Sequence, residues 1–286
     1  LELDRRRIEL ADGDFIDLAA WRGTGPTVLI IHGLEGGLSS HYAGNTLAAL
    51  AAAGFRPVFM HLRGRSGEPN RLPRSYHSGA TEDLAAVLAA LCEGNDGPPT
   101  AAVGFSLGGN LLLKYLAETH APLLRAAVAV SVPFVLRDAM LRLNIGMSRL
   151  YRRHLLGKLK ESYRAKFSRM PTPLNVDLAE LRDLFDYDDR ITAPLNGFDG
   201  AEDYYARASC RPLLRRIRLP TLIVHAADDP FMFPHTAPRE HELGPGVTLE
   251  LSEHGGHVGF VAGSVPGRPR YWLDERIVSY LRELAF

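Results

Sequence analysis

Long apolar runs are missing from this chain of 286 residues, and none approaches the ~20 apolar residues needed to span a bilayer. Net charge is missing as well. The 33 Lys and Arg are matched by 33 Asp and Glu, so no global field draws the chain towards nucleic acid, and no nucleic-acid partner is expected. Cysteine is almost absent: Cys92 and Cys210 lie far apart and show no ligand spacing, which argues against a disulfide framework and for a reducing compartment. Leu1 to Arg7 is charged and polar, not the apolar core of a signal peptide. A cytoplasmic protein without an integral membrane segment is expected. Repeats and low-complexity tracts are lacking too, and the length suits one large domain with an insertion better than two independent cores.

What the chain does have is an alternation of short apolar runs with helix-length segments, the mark of a mostly parallel sheet covered on both faces. Strands are expected at Val28 to Ile31, Arg56 to His61, Thr100 to Phe105, Ala126 to Ser131, Thr221 to His225 and Thr248 to Leu251. Helices are expected near 40–53, 81–92 and 107–118, with a closing helix near 270–284. Ile8 to Ala20 alternates around Asp12-Gly13-Asp14 and predicts an antiparallel edge hairpin.

From about Pro133 to Pro212 this rhythm stops. The stretch carries helical patterns interrupted by Gly157, Pro171-Thr-Pro173 and Gly197, with basic residues in its first half and acidic ones in its second. Either it presents a basic surface to anionic headgroups, or a basic helical half packs beside an acidic one within a small lid. The expected organisation is a core of residues 1–132 and 213–286 with a helical cap inserted at 133–212. Leu136, Met140, Leu141, Leu143, Ile145, Met147 and Leu150 give this cap more apolar surface than a solvated loop carries, partly for the core and partly for an acyl pocket.

Gly104-Phe-Ser106-Leu-Gly108 follows a buried strand and opens a helix. A serine on so sharp a turn is exposed, and the glycines let strand and helix backbones pass in contact. The amide of Leu107 is then free at a helix N-terminus to meet an oxyanion. His32-Gly-Leu34-Glu-Gly-Gly37 follows an earlier strand and can aim the Leu34 amide at the same point. It has neither the spacing nor the lysine of a phosphate loop. Serine needs a base, and the base an orienting acid. His254-Gly-Gly-His257 follows the last strand, and Asp228-Asp229-Pro230 the one before it, giving the chain order Ser, Asp, His. The glycines before His257 favour it over His254 as the base. Asp229, one residue further out and just before Pro230, is favoured over Asp228, which would brace the loop. His-x-x-His without clustered carboxylate or cysteine does not suggest a metal. His41, His61, Arg63, Ser66 and His77 either line the pocket or brace loops, and Glu82 and Asp83 read as helix N-terminal residues.

These residues resemble a known group. His32-Gly-Leu-Glu-Gly36, Arg63-Gly64 with Gly67 and Pro69-Asn70, Tyr76-His77 with Gly79, Thr81-Glu-Asp-Leu84, Gly104-Phe-Ser-Leu-Gly-Gly-Asn110 and Gly255-Gly-His-Val-Gly-Phe260 are similar to the YheT-like branch of α/β-hydrolases, over nearly the whole chain. The resemblance implies the α/β-hydrolase fold, a serine esterase needing no cofactor, and a triad of Ser106, Asp229 and His257. The wider group is similar to ethyl-ester synthase/esterases and to lipases acting on acylglycerols or phospholipids, which implies a small-molecule ester or lipid-like substrate.

The expected activity is cleavage of carboxylic esters of short- to medium-chain acyl groups through an acyl-enzyme on Ser106. The same residues would serve an acyltransferase that lets an alcohol replace water, and a peptidase or amidase would also use them. A non-catalytic ligand-binding protein on this fold would not need the complete triad. Haloalkane dehalogenases and epoxide hydrolases place aspartate at the elbow, so Ser106 argues against both.

Overall fold

Val28-Leu-Ile-Ile31 has no polar side chain to turn towards water, so both faces of that strand must be covered. The structure, a computed structural model, describes residues 2–94, 98–263 and 269–284. It runs β1 (Leu3–Glu9), β2 (Phe15–Trp21), β3 (Thr27–Ile31), α1 (Ala43–Ala52), β4 (Arg56–Met60), α2 (Thr81–Glu93), β5 (Ala101–Phe105), α3 (Leu107–Glu118) and β6 (Ala126–Val130). The helices α4 (Leu136–Arg142), α5 (Ser148–Phe167), α6 (Leu184–Tyr187), α7 (Ala193–Leu195) and α8 (Ala201–Ala208) follow, with one π-helical turn at Asp188–Thr192. The chain then returns through β7 (Thr221–Ala226), β8 (Val247–Ser252), the short ladder of β9 (Val261–Ala262) and β10 (Arg270–Tyr271), and α9 (Trp272–Glu283).

The first eight strands form one sheet in the order β1-β2-β4-β3-β5-β6-β7-β8. The opening hairpin forms as expected, antiparallel at the edge, and every pairing from β4 across to β8 is parallel. Successive side chains point to opposite faces. Val28 and Ile30 therefore join Phe59, Val103 and Phe105 under α1 and α9, while Leu29 and Ile31 join Val58, Met60 and Ala102 under α2 and α3. Thr46 Oγ1 donates to Asp274 Oδ1 at 2.7 Å, tying α1 to α9.

Between β6 and β7 the described chain forms helices joined by loops, the longest at 168–183 around Pro171-Thr-Pro173, and holds no strand. Gly157 does not interrupt it as the sequence suggested: α5 runs through that residue for 20 residues. A glycine inside a helix costs only about 1 kcal/mol, which the packing of Leu156, Leu159 and Tyr163 against Leu181, Leu184 and Tyr187 offsets. Gly197, at φ +74, does mark a break after α7. Among the described residues no helix is long and apolar enough to cross a membrane.

The sheet brings function to one place through its winding. From β3 the chain goes to one side to make β4, and β5 then returns to pair on the other side of β3. The loops leaving β3 and β5 therefore diverge, and such a switch point opens a crevice at the carboxyl ends of the strands.

Candidate active site

Ser106 occupies the single position between β5 and α3, with φ +52 and ψ −117. Such backbone angles cost a non-glycine residue of order 1–3 kcal/mol. Surrounding bonds impose them: Ser106 N–H donates to Val130 O at 2.8 Å, and Ser106 O accepts from Gly109 and Asn110. A Cβ at Gly104 would lie 2.4 Å from Gly108 O, and one at Gly108 would lie 2.5 Å from Ile31 O. Both glycines are therefore required by backbone contact. Asn110 is wholly buried, donating to Ser78 O and Ala208 O and accepting from the Cys210 amide, so the elbow helix is fastened to the segment before α2 and to the end of α8.

Opposite Ser106, the loops after β7 and β8 meet. His257 Nδ1–H donates to Asp229 Oδ2 at 2.9 Å, and Nε2 lies 3.0 Å from Ser106 Oγ. The other Asp229 oxygen accepts from the Phe231 amide at 2.8 Å, and the Phe231 ring stacks on the imidazole at 4.1 Å. Asp228 is placed differently. It accepts from the Gly256 amide at 2.8 Å and faces His254 Nδ1 at 3.4 Å, and its partner His254 is largely exposed. The imidazole loop takes positive φ at Val258 and Phe260 and is held by Ser131, whose Oγ accepts from the Val258 amide at 3.0 Å.

The glycine-rich loop after β3 lies directly over the elbow. A Cβ on Gly33 would come within 3.1 Å of Ser106 Cβ. Among the described residues, neither the Leu34 nor the Leu107 amide donates to a protein acceptor. His32 sits beneath, its Nε2 accepting from the Leu62 amide and its Nδ1–H donating to Gly33 O; burial brings its pKa down to about 3, so it stays neutral. Gly33 N–H donates to Tyr42 Oη, whose ring stacks on Phe105. Glu35 has φ +53 and a buried carboxylate that accepts from Tyr76 Oη, Arg65 Nη1 and Ser162 Oγ. Ser162 belongs to α5, so the helical segment touches the loop that carries Leu34.

These groups line a cleft of about 680 Å³. Leu136, Met140 and Leu143 contribute to its wall, but Leu141, Ile145, Met147 and Leu150 are exposed and do not. An amphipathic helix can turn only one stripe inwards. Of the other polar candidates, His41 and His77 border the cleft and Ser66 binds Asp17. Arg63 is buried between Asp83, Asp14 and Asp12, so Asp83 does more than complement the α2 dipole. Lys166 of α5 donates to Asn70 Oδ1 at 2.8 Å and to Arg74 O, and burial brings its pKa down to about 8. Among the described residues no three His, Cys, Asp or Glu side chains gather as a metal would require.

Sequence reasoning missed Glu35 in its bracing role, Ser131, Tyr42 and Phe231. Glu35 stood inside a motif already singled out, and its burial is the kind of signal only a structure supplies. The other three lie in ordinary apolar or loop surroundings with nothing to set them apart.

Residues 26–264 match the family model described as the alpha/beta hydrolase fold. The chain is 45% identical over 285 residues to the protein of Escherichia coli (strain K12) named "Putative esterase YheT", covering 96% of this chain and 84% of that one. It is 32% identical over 256 residues to the Mus musculus protein named Phospholipase ABHD3, covering 87% of this chain but only 61% of that protein's length. Among solved structures, the esterase EaEST from Exiguobacterium antarcticum superposes with a TM-score of 0.61 at 21% identity, over 96% of this chain and 98% of that one.

Proposed function

Because the chain belongs to the α/β-hydrolase fold family, in its YheT-like branch, we infer that it cleaves carboxylic esters through an acyl-enzyme on Ser106. The observation that carries this reading is the unbroken line from Ser106 Oγ through His257 to Asp229, at 3.0 and 2.9 Å, ending on a serine held at positive φ. His257 Nε2 takes the hydroxyl proton as Oγ attacks the ester carbonyl, and Asp229 holds the tautomer and the imidazolium that forms. The amides of Leu34 and Leu107 receive the oxyanion, and losing one such donor typically costs ~10²–10³ in rate. His257 then gives the proton to the leaving alcohol. Water enters, loses a proton to His257, attacks the acyl carbon, and Ser106 leaves protonated.

The helical segment at 133–212 acts as a cap over this site, since α4 and α5 supply one wall of the cleft. The mixed lining, apolar at Leu136, Met140, Leu143, Leu155 and Leu159, suits an ester with a lipid-like acyl chain. A relative named as a phospholipase agrees with that substrate class. Labelling by a fluorophosphonate, compared between wild type and Ser106→Ala, tests the reading. Labelling at Ser106 with turnover of p-nitrophenyl esters is expected; a wild-type protein that neither labels nor turns over ester would make it a binding protein on this fold.

A further inference from the structure

The turn between α4 and α5 leaves apolar side chains in water. Gly146 takes φ +56 there. On either side Ile145 is 52% and Met147 75% exposed, with Leu141, Leu150 and Tyr151 also exposed close by in the chain. Single exposed apolar residues are ordinary, but five gathered on one helical corner make the kind of patch that marks an interaction surface.

Along the chain, charge at this corner has one sign. From Ala139 to Lys160 the chain has no Asp or Glu but six Lys and Arg, although its charges cancel overall. The inner stripe of α5 packs through Leu156, Leu159 and Tyr163. That leaves Arg149 and Arg153 exposed, and among the described residues neither has an ion-pair partner. Asp183, which accepts from Asn144 beside the corner, also caps α6. The corner is joined to the site itself. Ser148 Oγ donates to Pro230 O at 2.6 Å, and Tyr151 packs at 5.1 Å on Phe231, the ring that stacks on His257.

We propose that the α4–α5 corner docks the protein on an anionic phospholipid surface. Ile145, Met147 and Leu150 enter the interface, and Arg149 and Arg153 meet the headgroups. Apolar insertion beside cationic side chains is the pairing that holds an amphipathic helix at a charged membrane surface. A second copy of the chain is disfavoured as the occupant, because two such corners would set like charges face to face. Docking places the mouth of the cleft beside the lipid phase, where an acylated substrate would be drawn from.

Sedimentation of the full chain with vesicles of phosphatidylcholine, with and without phosphatidylglycerol, reads the docking directly. Binding is expected only with phosphatidylglycerol present, and it weakens as salt screens the headgroups. Met147→Ser with Leu150→Ser, and separately Arg149→Glu with Arg153→Glu, should each lower binding about tenfold or more. Turnover of a water-soluble p-nitrophenyl ester should stay at the wild-type level in both, which also shows that they fold. Absence of binding to anionic vesicles, or binding that both pairs leave unchanged, overturns the proposal. So does a concentration-dependent dimer that the same substitutions abolish, which would make the corner a contact between copies. Ser106→Ala should bind vesicles as wild type does, so a failure of the esterase reading is distinguishable from a failure of this one.

Discussion

Ser106 sits in a backbone conformation that side chains avoid, and contacts from β6, α3 and the glycine-rich loop keep it there. Replacing it by alanine removes only the Oγ, so Ser106→Ala should keep its melting temperature while kcat for esters falls by ~10⁶. A variant retaining a tenth of the activity would remove Ser106 as nucleophile. The neighbouring aspartates separate in the same assay. Asp229→Asn leaves the geometry and favours the wrong imidazole tautomer, with an expected loss of ~10⁴ in kcat. Asp228→Asn weakens an acceptor for the Gly256 amide, so it should act on loop stability, read as a lower melting temperature with kcat within about tenfold of wild type. The reverse ranking in folded protein would exchange their roles. In the sequence, the place of Asp229 just before Pro230 and the YheT-like resemblance both favour it over Asp228. Spacing said nothing of Ser131, whose bond to the Val258 amide joins residues 127 apart in the chain.

At the scale of elements, the strands were legible because burial on both faces forces an unbroken apolar run, as in β3 and β6. The limits of α5 were less so, since Gly157 reads as a break until its packing partners are known. That helix also carries two bonds no local pattern announces. Ser162 reaches Glu35, and Glu35 fixes the residue next to the Leu34 amide. Glu35→Gln should lower kcat by up to ~10² with little change in KM, because the oxyanion is met only in the transition state. An unchanged kcat in folded protein would reduce Glu35 to a brace. Lys166 is the second bond. Its pKa is brought from 10.5 to about 8 by burial, so between those values the unfolded chain holds more protons than the native one. Stability contributed by this site therefore rises with pH across that window, and below it the cost of burying the charge is present in full. Urea midpoints of wild type relative to Lys166→Met should diverge in favour of wild type as pH rises from about 8 to 10.5; a flat difference would mean Lys166 does not titrate there.

For the whole molecule, the loops of the sheet carry Ser106, Asp229 and His257, and the helical segment between β6 and β7 supplies much of the space beside them, so under the proposed esterase activity acyl preference would be a property of their joint cleft. Its wall of Leu136, Met140, Leu143, Leu155 and Leu159 rewards each methylene removed from water by ~0.8 kcal/mol, or about fourfold in kcat/KM. A cleft of about 680 Å³ is finite, so the gain must stop where the chain no longer fits. Met140 can adjust to intermediate lengths, while Met147, on the exposed corner, has no part in it. Across p-nitrophenyl esters, kcat/KM is expected to climb from acetate to medium-chain acyl groups and fall for long ones. Met140→Ala should shift the maximum to longer chains by enlarging the cleft. A profile highest at acetate, unmoved by Met140→Ala, would show that the helices close the site instead of extending it, and the preference would then have to come from the loops after β3 and β7.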